Sequence, residues 1–319
     1  MLVQRWQDSR ANPAGIIMSI DSKITNLAGV RKSKYSRLGR MNQGDISRRA
    51  PVVSLGLFAD AHYAEMVYGD RHCKESPAKL AACIDTFEQG ELDFVVCMGD
   101  IIDKSEDHDV ELGYLVRMRE IFAGFSGPRH FVIGNHDVAT LTKDEFLREC
   151  GATHPAYYSF DVGNVHFAVL DGNCHRDGND FSAGNFAWDD AWVSAAQLEW
   201  LAQDLAESCD RKSIVFCHEN LDHRLWNGEL DPHILRNADQ VRGVLETAGN
   251  VRAVIQAHYH PGLQTTMNGI DYLGLRAMVV GAGLENNSFA IVSVHADGRL
   301  VLRGFEKQPN VELQLREDG

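Results

Sequence analysis

No stretch of the 319-residue chain approaches 18 consecutive apolar residues, the length a membrane-spanning helix requires, so no such helix is expected. The run GIIMSI at 15–20 follows basic residues, but it is shorter than the apolar core of a signal peptide. Basic charge is also in short supply: 31 Lys and Arg stand against 45 Asp and Glu, a formal charge of −14. That deficit excludes a general nucleic-acid-binding surface, which needs a net basic footprint, and admits small anions only where positive charge is held locally. The seven cysteines, Cys73, Cys83, Cys97, Cys150, Cys174, Cys209 and Cys217, are odd in number and form no C-x-x-C pair. Reduced, mostly buried thiols in a cytoplasmic setting are expected, with neither a disulfide framework nor a cysteine-built zinc cage.

What is present is a core: 44% of residues are hydrophobic, enough for a sizeable globular domain. The first 50 residues differ from the rest, with ten Lys or Arg, three Asp or Glu and no histidine. They are expected to be a basic tail or linker, with a presequence or a true start at Met18 or Met41 as alternatives. The catalytic domain is expected over 51–309, followed by a short tail at 310–319.

From residue 52 the pattern alternates strand with helix. Apolar runs at 52–59, 93–98, 130–133, 165–170, 213–217 and 252–257 predict buried strands of a largely parallel sheet. Ser76-Pro77 predicts a helix start, and the pairs Thr142/Glu145, Ser194/Gln197 and Asn237/Gln240 predict N-terminal caps. Beyond 262, Asn268-Gly269 and Asp297-Gly298 predict tight turns in an antiparallel finish.

The residues after each apolar run carry the chemistry. Asp60-Ala61-His62 follows the first, Gly99-Asp100 with Asp103 the second, Gly134-Asn135-His136-Asp137 the third, His218 the fifth, and His258 and His260 the sixth. In α/β sheets the carboxyl ends of strands line one crevice, so these groups are expected to converge. Imidazole, carboxylate and amide ligands suit Mn²⁺, Fe or Zn²⁺, and seven or eight of them exceed one ion's need.

That ordered set, D-x-H, G-D-x-x-D, G-N-H-D, a lone histidine and H-x-H, resembles the calcineurin-like metallophosphoesterase superfamily from about 53 to about 260. The resemblance implies an α/β fold in four layers (α/β/β/α), a two-sheet β-sandwich flanked by helices. It implies a centre for two divalent cations, Mn²⁺ as first choice. Asp60, His62 and His260 hold one, Asn135, His218 and His258 the other, and Asp100 bridges them. Within the family pattern His136 faces the substrate as general acid or transition-state stabiliser, oriented by Asp137. Ala257 stands where the superfamily usually has glycine, a position at which positive φ would strain the backbone.

Within the superfamily, the Asp60–Ala64 start, the Arg71, Ser76, Lys79 and Leu80 set, and the sequence GDIID at 99–103 resemble the manganese-dependent ADP-ribose/CDP-alcohol diphosphatase branch. That branch often has glutamine where this chain has His62. The resemblance implies hydrolysis of small phosphoesters or phosphoanhydrides, with water activated by both cations attacking phosphorus in line. Cyclic-nucleotide or general phosphoesterase activity is the alternative, and a non-catalytic scaffold a remote one, since such scaffolds commonly lose ligands and none is missing here. The expected partner is a small phosphorylated molecule. Arg71, His72, Trp188 and His223 are candidate substrate contacts, Trp188 within the long polar segment between Leu170 and Ser194, as such segments often form lids or binding loops.

Overall fold

The first apolar run forms β1 (Pro51–Phe58), and its alternation sets the layering. Val53, Leu55 and Leu57 enter one buried layer and Phe58 another, because successive strand side chains point to opposite faces. The computed structural model describes residues 50–182 and 184–315; the predicted basic tail falls almost wholly in 1–49, outside them. Helix α1 (Ser76–Glu88) joins β1 to β2 (Phe94–Cys97), and α2 (His108–Phe122) joins β2 to β3 (Arg129–Phe131). The three strands run parallel. After α3 (Lys143–Glu149) come the hairpin β4 (Tyr158–Val162) and β5 (Val165–Val169), then α4 (Ala195–Glu207) and β6 (Lys212–Phe216). A ribbon of β7 (Leu225–Trp226) and β8 (Glu229–Leu230) precedes α5 (Ala238–Ala248) and β9 (Val251–Gln256).

The remaining strands are β10 (Leu263–Met267), β11 (Ile270–Gly274), β12 (Ser288–His295), β13 (Arg299–Glu306) and β14 (Val311–Gln314). One sheet has the order β14-β13-β12-β1-β2-β3 and the other β10-β11-β9-β6-β5-β4. Their facing sides form one core layer, in which Phe94 of the first sheet meets Phe167 of the second edge to face at 5.1 Å. The outer faces carry the helices. Phe122 of α2 packs on Phe58 at 5.1 Å and on Phe131 at 5.1 Å. At Gly56 a Cβ would sit 2.9 Å from the Phe87 ring of α1, so only glycine admits that helix so closely.

The two-sheet, four-layer expectation is met, but the single largely parallel sheet suggested by the apolar runs is not. The first three runs belong to one sheet and the last three to the other. Every such strand is buried on both faces, and continuous apolarity does not report which neighbour lies beside it. The finish is mixed as well, because β11 pairs in parallel with β9 before the antiparallel β12, β13 and β14. Nor is 310–319 wholly a tail: β14 pairs with β13, and Leu315 is buried.

Thr142 and Glu145 form the predicted capping box. Ser194 caps α4, but the Gln197 side chain bonds the Asp171 backbone instead of closing a box. Asn237 caps nothing; its amide bonds the backbone of Val193. Both amides are buried, and satisfying a distant main-chain group there outweighs a solvated cap.

His166 on β5 ties three elements together, Nδ1 at 2.9 Å from Asp161 Oδ1 and Nε2 at 2.8 Å from Asp204 Oδ2. Burial opposes its charge, but the two carboxylates outweigh burial and raise its pKa. A raised folded pKa means that this stabilisation is full below the unfolded value of about 6.5 and fades as pH rises through the folded value. Replacing His166 with Gln should therefore cost more stability at about pH 5.5 than at about pH 9. Urea denaturation at the two pH values checks this, and an equal cost at both would remove the ionic contribution.

Candidate metal centre

The ligand-bearing residues leave their strands through strained turns. Asp60 (φ 52°), His62 (φ 46°), Asp100 (φ 51°) and His258 (φ 63°) all lie in the left-handed region, which costs non-glycine residues about 1–3 kcal/mol each and persists only where the surroundings enforce it. Backbone bonds do so here: Asp60 N–H donates to Gly99 O at 3.0 Å, and His62 N–H to Asp100 O at 2.8 Å. Gly99 (φ 98°) permits a close approach, because a Cβ there would stand 2.5 Å from His218 Nδ1.

Three groups of potential ligand atoms result, Asp60, His62 and His260 in one, Asp100, His218 and His258 in another, and His62, Asp100 and His136 in a third that links them, the atoms of each within 4.8 Å of one another. Asp100 Oδ2 stands between the first two, 3.4 Å from His62 Nε2 and 3.3 Å from His218 Nε2. His258 and His260 thus fall in different groups, although only one residue separates them. The strand ends at Gln256, and left-handed His258 begins a turn. Ala257 is not among the positive-φ residues, so its methyl carries no such strain.

These donors fit cations. Asp60 is buried with neither carboxylate oxygen hydrogen-bonded, and burial pushes its pKa up to about 7; an adjacent cation is what keeps such a group ionised. His218 Nδ1 lies 2.8 Å from Met98 O, which fixes the proton there and leaves Nε2, also without a partner, as a ligand. Burial holds His62 and His258 neutral, and His260 is lowered to about 3 by burial and Arg71. Burial opposes the charge of Asp100, but His218 and His136 outweigh it and hold its pKa well below the usual carboxylate range. Asn135 is buried, and neither polar atom of its side chain has a partner.

His136 stands at the rim, its ring 4.7 Å from that of His62. The carboxylate against its Nδ1 is Asp103, at 2.8 Å, not Asp137. Asp137 accepts instead from the backbone N–H groups of Asp100, Ile101, Ile102 and Gly134. It holds the two ligand loops together, and those four donors leave it no capacity to orient His136. Asp103 also receives Arg71 Nη2 at 2.7 Å, and the same nitrogen lies 2.5 Å from His62 Nδ1.

The remaining candidates divide. Trp188 is 40% exposed, with its ring 6.2 Å from that of His258. His72 pairs with Glu75 at 3.3 Å at the start of α1, and His223 Nδ1 lies 2.7 Å from Met267 Sδ; neither joins the ligand groups. His233, which no motif marked, lies 5.1 Å from His258 and 5.4 Å from Trp188, ring to ring, with Nδ1 2.7 Å from Asp231. Its only signal in the sequence is Asp231, two residues earlier.

Lys79 is structural. Its buried ammonium donates to Met278 O at 2.9 Å and Gly281 O at 2.7 Å, and the same segment bonds Ala59 and Asp60 through Met278 N–H and Val279 N–H. Lys79→Met keeps the bulk and strands those carbonyls, a loss of about 2–4 kcal/mol. Urea denaturation measures it, and Mn²⁺ affinity should fall with it because the clamp supports Asp60.

This arrangement defines a class. The chain belongs to the calcineurin-like phosphoesterase family, whose model matches residues 55–262, and it is a metal-dependent phosphohydrolase. It is 26% identical over 313 residues to the manganese-dependent ADP-ribose/CDP-alcohol diphosphatase of Arabidopsis thaliana, covering 83% of this chain and 98% of that protein. It is 23% identical to the 3',5'-cyclic adenosine monophosphate phosphodiesterase CpdA of Haemophilus influenzae, covering 78% and 88%. In fold it is similar to a dimetal phosphatase from Danio rerio, with a TM-score of 0.72, 21% identity and coverage of 83% of this chain and all of that one. No helix among the described residues is long and apolar enough to cross a membrane.

Proposed function

We propose that the protein is a manganese-dependent hydrolase of nucleoside diphosphate derivatives such as ADP-ribose or CDP-alcohols. The observation that carries this reading is the pair of ligand groups sharing Asp100, with exposed Trp188 standing over the His258 side. Likeness over nearly the whole length of a diphosphatase supports it. Asp60, His62 and His260 hold one cation and Asn135, His218 and His258 the other, with Asp100 between. When bound, the pair supplies Lewis-acid charge to the phosphoryl oxygens and lowers the pKa of water.

The chain's own residues do the rest. Asp103 Oδ1 stands 2.8 Å from Nδ1 of His136, and Nε2 is the nitrogen left to protonate or stabilise the leaving oxygen. Arg71 adds positive charge beside Asp103 and His62. Trp188 and His233 form a partly exposed aromatic wall suited to stacking a base.

The test is one assay with Mn²⁺ against ADP-ribose, CDP-choline, cyclic AMP, bis-p-nitrophenyl phosphate and p-nitrophenyl phosphate, comparing kcat/KM. A preference of about tenfold or more for ADP-ribose or CDP-choline is expected, about 1.4 kcal/mol of differential transition-state binding. Preference for cyclic AMP would replace this reading with the phosphodiesterase one, which imidazole at position 62 favours.

A further inference from the structure

A cleft of about 800 Å³ opens beside His136, lined by Lys104, Ser105, Glu106, His108, Thr140 and Phe186 among others. Phe186 joins it to the metal centre, its ring 5.4 Å from that of His136. Lys104 directly follows Asp103 and donates its backbone N–H to Asp103 Oδ1 at 2.8 Å, so the turn that holds the partner of His136 also delivers a cation to the cleft. The Lys104 ammonium lies 5.6 Å from the centroid of the Phe186 ring, and the side chain is exposed. Among the described residues it has no carboxylate within ion-pair distance. In a chain of formal charge −14, an uncommitted cation stacked on an aromatic ring beside the leaving-group histidine is poorly explained as a solvated surface charge.

The geometry points to this cleft as the seat of the leaving half of the substrate, with Lys104 against its phosphate and Phe186 against its sugar. The inference rests on the diphosphatase reading and makes it more specific. In hydrolysis of a phosphoanhydride, a water oxygen forms the new P–O bond and the bridging P–O bond breaks. The electron pair leaves with the bridging oxygen on a phosphate monoester, and the water's proton passes to solvent. The departing group gains a negative charge, which a cation neutralises where an alcohol leaving group would need a proton. Lys104 therefore favours phosphoanhydrides over diesters, which place no second phosphate in the cleft. Glu106 in the same lining is exposed.

The test compares the wild-type protein with Lys104→Glu and Lys104→Arg, all loaded with Mn²⁺. Lys104→Glu should lower kcat/KM for ADP-ribose about 30-fold and that for bis-p-nitrophenyl phosphate about threefold or less, and Lys104→Arg should recover most of the loss. Titration calorimetry with ribose 5-phosphate, the half that leaves when the base of ADP-ribose lies on Trp188, gives a readout apart from turnover: its affinity should fall about tenfold in Lys104→Glu. Equal losses on both substrates, or the same ribose 5-phosphate affinity in both proteins, would overturn the assignment. If wild type turns over cyclic AMP or bis-p-nitrophenyl phosphate but neither diphosphate, the diphosphatase reading falls, and the ribose 5-phosphate titration alone decides whether the cleft binds phosphate.

Discussion

Asp100→Asn should lose Mn²⁺ and activity together, with kcat/KM down by about 10³-fold or more. The substitution preserves shape, so the expected effect is electrostatic. Oδ2 faces His62 on one side and His218 on the other, while Oδ1 accepts the His136 N–H at 2.8 Å. Asparagine can keep that last bond through its carbonyl but presents no charge to either group, and an amide in place of a bridging carboxylate leaves two like-charged cations without the anion between them. Metal content of the purified protein, its circular dichroism and its kcat/KM should be measured on the same sample. A folded variant with full metal content and normal turnover would reject the bridging role.

His136→Ala should show the opposite pattern, metal retained and kcat reduced by about 10²–10⁴-fold, the range for a positioned acid. His136 shares a group of potential ligand atoms with His62 and Asp100, but its Nδ1 stands 2.8 Å from Asp103 Oδ1, and its backbone N–H, which alanine keeps, holds Asp100. Burial opposes its charge, while Asp100 and Asp103 outweigh burial and raise its pKa. The leaving group separates the two roles open to it. An acid matters most for a poor leaving group, so an alkyl diester should suffer more than a p-nitrophenyl ester. Equal losses on both would make His136 an electrostatic stabiliser, and metal loss in His136→Ala would make it a ligand.

Much of this centre was legible in the chain because its ligands directly follow apolar runs. Asp60, His62, Asp100, His218, His258 and His260 are drawn into the ligand groups by strands whose burial the runs announce. The partner of His136 was not legible. Asp137 is adjacent in sequence and Asp103 is 33 positions away, yet the one-turn helix at His136–Val138 directs Asp137 to four backbone donors and leaves Nδ1 to Asp103. The turn that separates His258 from His260 was not legible either, because only the fold shows left-handed His258 leaving the strand at Gln256. His233 and Lys104 illustrate a further limit: single polar residues in loops carry no periodicity, and their importance rests on what another segment places opposite them.

The sequence by itself determined the family, the set of candidate ligands and the absence of a membrane-spanning apolar run, because these depend on residue types and their order along the chain. Tertiary structure alone decided that six apolar runs divide between two sheets, that Asp103 and not Asp137 holds His136, and that Trp188 stands by the metal centre while His223 does not. Each of those outcomes depends on contacts between segments far apart in sequence, where close packing and the need to satisfy every buried polar group select one partner from several that local pattern leaves equivalent.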